Sequence, residues 1–154
     1  MLNKLLENRK LVTWPVYALV SVLSVWIRSG FQVYGIPDAG HDDALFQNLA
    51  RHLLIGDWLG PFNNLTLAKG MFYPFFIALS AAVGLPLKIA EQLLYLGCSL
   101  LAARYVTRLT RSEIVGFILF VLLAYNTVFW SADLARLIRE GIYMNLKVLS
   151  RMVN

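Results

Sequence analysis

The chain has 154 residues, 58% of them hydrophobic and 15% charged, and its mean hydropathy of +0.62 excludes an ordinary soluble domain. Its net charge of +5 does not point to nucleic acid, because in a chain of long apolar segments such a balance reflects lysines and arginines holding cytoplasmic loops. Its one cysteine, Cys98, excludes an intrachain disulfide and sits in an apolar run, where packing is its expected role.

In chain order, Met1 to Lys10 carries Lys4, Arg9 and Lys10 against Glu7, and Leu11 to Ile27 then has no charge. A cleavable signal would have a shorter apolar region and a small-residue cleavage site, so the segment reads as a first transmembrane helix over 11–28 with a cytoplasmic N-terminus. Trp14 and Trp26 stand near its two ends as interfacial anchors, Pro15 falls in its first turns, and Arg28 is expected to snorkel to the far boundary.

An outer loop with juxtamembrane helices follows over 30–85. Asp42 and Asp43 open an amphipathic pattern: Leu45, Phe46, Leu49, Ala50, Leu53 and Leu54 mark one face, and Gln47, Asn48, Arg51 and His52 the other. Gly56 is placed to end that helix in a left-handed conformation, with Trp58 at the membrane-water boundary. Pro61 and Asn63-Asn64 read as loop up to Lys69-Gly70, and His52 reads as a solvated residue.

Met71 to Leu87 is again free of charge, but Gly84-Leu85-Pro86 interrupts it. Spans are expected over 86–104, ending toward Arg104, Arg108 and Arg111, and over 114–132, followed by an outer amphipathic segment over 133–154. The expected fold is an all-α integral membrane protein, a single module over 1–154 with three transmembrane helices, or four if Met71 to Gly84 crosses. The positive-inside rule favours three, since Arg104, Arg108 and Arg111 then lie in the cytoplasm, although Arg136, Arg139, Lys147 and Arg151 are left outside.

The candidate chemistry gathers on the outer side. Asp42 and Asp43, beside His41, suit three roles: capping the helix, holding a cation, or taking a proton from an acceptor hydroxyl. A metal site of His41, Asp42 and Asp43 alone is incomplete, so no cofactor is expected and the sequence gives a divalent cation no support. Lys69-Gly70 offers a phosphate contact or an interfacial lysine, and Arg139-Glu140 a second charged group or an ordinary polar helix face. No Walker loop, dinucleotide fingerprint, nucleophile elbow, zincin helix or DxD triplet is present. Nothing therefore cradles a soluble nucleotide, and a donor used at this face would arrive on a lipid.

The order of HDDALFQNLARHLLIGDW, KGMFYP and DLARLIREGIY between apolar segments resembles the N-terminal part of a GT-C-type membrane glycosyltransferase, the group of protein mannosyltransferases and lipid A aminoarabinose transferases. The resemblance implies transfer of a sugar from a polyprenyl-phosphate-linked donor to an acceptor on the non-cytoplasmic side of the cell membrane. It implies Asp42 or Asp43 as the catalytic base, Lys69 on the donor phosphate, and Arg139 and Glu140, with His41, around the substrates. It also implies that Asp43 to Ile55 and Met71 to Gly84 lie along the outer surface. Family members carry many more spanning helices, so membrane lipids, missing C-terminal helices or a partner membrane subunit are the expected company. The rival expectation is a non-catalytic membrane subunit or assembly partner.

Overall fold

The computed structural model describes residues 2–30, 43–58, 60 and 70–126, and everything described is helix or the turns between helices. The helices are α1 (Leu2–Ser29), α2 (Asp43–Leu54), α3 (Phe72–Ala82), α4 (Leu87–Thr110) and α5 (Glu113–Ala124). The expected segment 133–154 and the last residues of the 114–132 span lie outside the described residues.

The helix boundaries follow from local chemistry. After α2, Gly56 takes φ +78°, and the Gly56 amide reaches the Leu53 carbonyl at 3.2 Å while Asp57 reaches His52 at 3.0 Å. Gly84 repeats this after α3 with φ +69°, its amide bonding Ala81 and that of Leu85 bonding Ser80. Both are left-handed closures in which glycine has no Cβ to clash and spare carbonyls are satisfied. Pro86 then starts a new helix: it forbids Leu85 the helical region and has no amide to leave unpaired. The result is a bend of 112° between α3 and α4. At the other turn Arg111 takes φ 52°, and the Ser112 hydroxyl caps α5 by accepting from the Val115 amide.

Among the described residues no single helix is long and apolar enough to cross a membrane, and only the bent pair α3 and α4 reaches that length together. What is established of the expected fold is therefore its all-α character. Two local expectations are corrected. The helix expected from Leu11 begins at Leu2, so Pro15 lies well inside α1, not in its first turns. Arg28, expected to snorkel outward, is 1% exposed and enclosed by protein.

Helices α1, α4 and α5 form an up-down-up bundle. Trp14 of α1 sits 4.6 Å under the guanidinium of Arg104 near the end of α4, while Ser24 bonds Gln92 near the start of α4, so these two helices run antiparallel. Tyr17 packs on Phe117 and Phe120, and Ser24 donates to the Ala124 carbonyl at 3.0 Å, so α5 runs parallel to α1. Tyr17, Leu96, Ala103, Phe120 and Ala124 are the buried core of this bundle. A second cluster joins α2 to α3, where Phe46 and Tyr73 meet edge to face at 5.1 Å, with Phe76, Ile77 and Leu94 packed around them. Leu94 belongs to α4, so the α2–α3 pair is seated on the bundle.

Candidate functional site

Five of the six residues singled out from sequence, His41, Asp42, Lys69, Arg139 and Glu140, lie outside the described residues. Asp43 is the first residue of α2, where the helix dipole favours a negative charge, though its side chain is not among those described. One turn on, Phe46 stacks on Tyr73, so the end of α2 that carries Asp43 is held against the start of α3.

Tyr73 leads into a group of enclosed polar side chains that composition and periodicity did not single out. Its hydroxyl donates to Glu91 Oε1 at 3.2 Å, and Lys88 Nζ reaches Glu91 Oε2 at 2.8 Å. Both partners of this ion pair are buried, with side-chain exposures of 4% and 6%. Their spacing of three residues puts them on one face of α4. Gln92, beside them, donates to the Ser24 hydroxyl at 2.8 Å, and Ser24 donates onward to the Ala124 carbonyl. Arg28, one turn beyond Ser24 on the same face of α1, interacts electrostatically with Glu91. Among the described residues, the ends of four helices thus meet around two cations, one carboxylate, an amide, a serine and a tyrosine.

Burying such groups stabilises only if their hydrogen bonds are met and the charges are paired. Glu91 meets that condition through Lys88 and Tyr73. The cluster fixes the register of α1, α4 and α5 at one end of the bundle and ties the α2–α3 pair to it. The sequence signal that could have found it is the placement of Lys88, Glu91 and Gln92 immediately after a helix-starting proline, on the face shared with the buried Tyr95, Leu96 and Ser99.

The other charged contacts are peripheral. His52, expected to be solvated, pairs through Nδ1 with Asp57 Oδ2 at 2.9 Å across the turn after α2, and its ring lies against Gly60. The pair is partly exposed, with side-chain exposures of 32% and 55%, so it steadies that turn and adds little stability. Among the described residues no three His, Cys, Asp or Glu side chains come together to hold a metal ion. Cys98 is buried and free, in keeping with packing. Comparison of the chain with protein-family models, with curated proteins and with solved structures found no match.

Proposed function

We propose that this chain is a membrane-embedded module of a glycosyltransferase that uses a polyprenyl-phosphate-linked sugar on the non-cytoplasmic side, with Asp42 or Asp43 as general base. The observation that carries the reading, through its topology, is the concentration of basic residues at one end of the bundle. The first turns of α1, with Lys4, Arg9 and Lys10, lie at the same end as Arg104, Arg108 and Arg111 around the α4–α5 turn. The helix that starts with Asp43 is seated at the opposite end, beside Tyr73 and Glu91. The positive-inside rule places the first end in the cytoplasm and the second outside. The 112° bend supports three crossings by turning α3 away from the axis of α4.

In this reading the apolar runs 11–28, 86–104 and 114–132, which contain parts of α1, α4 and α5, cross; α2 and α3 lie between the first two crossings, and the acidic start of α2 faces the outer compartment. The base removes a proton from the acceptor hydroxyl while the sugar leaves its lipid phosphate, and the dipole at the start of α2 favours the ionised form of that carboxylate. Lys69 contacts the donor phosphate, and Arg139 and Glu140 with His41 complete the substrate side. A second reading, a non-catalytic membrane subunit, is favoured by the burial of the Glu91–Lys88 ion pair, which ties helices to one another.

Exchanging Asp42 and Asp43 separately for asparagine in the full-length protein distinguishes the two. At least one exchange is expected to lower sugar transfer by about 100-fold or more, the contribution of a positioned general base, with membrane insertion unchanged. Full transfer by both variants would favour the subunit. A reporter fused after Arg108 is expected to read out as cytoplasmic, and an extracytoplasmic signal would remove the three-crossing topology.

A further inference from the structure

We infer that the groove between α2 and α3 is a binding site for one acyl chain of a bilayer lipid. The inference rests on the membrane reading above and not on glycosyl transfer. The groove encloses about 380 Å³, within the range of small-ligand sites. Leu53 and Trp58 bound it on the α2 side, and Phe75, Ala78, Leu79 and Ala82 line the α3 side. Those four positions on α3 are spaced by three, one and three residues, so they form one continuous helical stripe. Ala78 and Ala82 alternate with the larger Phe75 and Leu79 along the stripe and leave room beside them, and the closing glycine of α2, Gly56, adds no side chain to the rim. A lining of apolar side chains with no charged one among them suits a hydrocarbon chain.

The choice of lipid over a protein partner comes from what surrounds the groove. Trp58, Phe75 and Leu79 are 71%, 52% and 52% exposed, and the apolar exposure does not stop at the groove. It continues over Leu19 and Val22 of α1, Leu101 of α4, and Ile118 and Leu122 of α5. A docked protein would cover one patch, whereas a hydrocarbon medium covers all these faces together. Gln47, Asn48 and Arg51 of α2 are exposed away from the groove, Phe46, Leu49 and Ala50 are buried against protein, and the apolar residue that α2 exposes at its end, Leu54, lines the groove. Trp58 at the groove's rim is the residue type that prefers the boundary between water and lipid.

The full chain in phospholipid vesicles, reduced to Trp58 alone by Trp14→Phe, Trp26→Phe and Trp130→Phe, tests the inference by fluorescence quenching with chain-brominated phospholipid. A variant that keeps only Trp26, 72% exposed on α1, reports general contact with the bilayer. Trp58 is expected to be quenched at least as strongly as Trp26 and shielded from aqueous iodide. Ala82→Phe, which fills the groove from an exposed position, is expected to reduce quenching of Trp58 and leave that of Trp26 unchanged. Quenching of Trp26 without Trp58 overturns the groove and leaves the membrane reading standing, whereas quenching of neither overturns both. Trp58 shielded from bromine and iodide alike would mean a protein covers it, and unaltered Trp58 quenching in Ala82→Phe would mean the chain lies elsewhere. Either result removes the inference.

Discussion

Replacing Glu91 by alanine is expected to destabilise the bundle by about 3–5 kcal/mol, the usual cost of breaking a buried ion pair by removing one partner. The carboxylate accepts from Lys88 at 2.8 Å and from Tyr73 at 3.2 Å, and it faces Arg28 electrostatically. Its loss takes a counter-charge at 2.8 Å from Lys88, which is 3% exposed. Glu91→Gln keeps the shape and an acceptor for Tyr73, so it is expected to fall between alanine and the parent. The double variant Lys88→Met with Glu91→Leu replaces charge with volume and is expected to lose less than Glu91→Ala alone. Unfolding curves of the four proteins in detergent would measure this order, and a Glu91→Ala curve within about 1 kcal/mol of the parent would show that the pair contributes little.

The second large effect is expected at Gly116, where α5 crosses α4. A Cβ built there would lie 1.8 Å from Thr107 Oγ1 and 2.9 Å from the Ala103 carbonyl oxygen. The hydroxyl can rotate away, but the carbonyl belongs to the backbone of α4 and moves only if the helices separate. For alanine, overpacking costs of about 1–3 kcal/mol compete with a helix-propensity gain of roughly 0.8–1 kcal/mol. Gly116→Ala is therefore expected to lose about 0–2 kcal/mol, and Gly116→Leu distinctly more. Adding Thr107→Ala should recover part of the loss in Gly116→Ala, because one of its two obstructions is then gone. Thermal melts in detergent check this, and parental stability in Gly116→Leu would mean that α4 and α5 are not packed this closely.

The sequence carried the helical outline because its helix ends depend on neighbouring residues. Gly56 closes α2 with φ +78°, and Gly84-Leu85-Pro86 separates α3 from α4, each at the place its local chemistry requires. The start of α1 was less legible. The charged residues between Leu2 and Lys10 read as a flank, yet they continue the helix that the apolar run begins. The position of Arg28 was hidden for another reason. A lone arginine after an apolar run looks like a boundary marker, and only the fold brings Glu91 to it from 63 residues away. His52 likewise needed the turn at Gly56 before Asp57 could reach it. Of the site read from the acidic pair, the structure supplies only the backbone position of Asp43 at the start of α2.

The hydrogen bond from Ser24 to the Ala124 carbonyl joins residues 100 positions apart. At a synthesis rate of roughly 5–20 residues per second, about 5–20 s separate the emergence of its two ends from the ribosome. Early in that interval α1 lacks Glu91 and Gln92, and throughout it lacks the Ala124 carbonyl, while the α2–α3 contact, closed over fewer than forty residues between Phe46 and Tyr73, can already form. The order of synthesis therefore predicts staged maturation: a local hairpin first, then capture of α1 by α4 through Gln92, and closure by α5 last. A chain stalled before α5 would leave the serine of α1 without its acceptor, a state that quality-control machinery could recognise as unfinished.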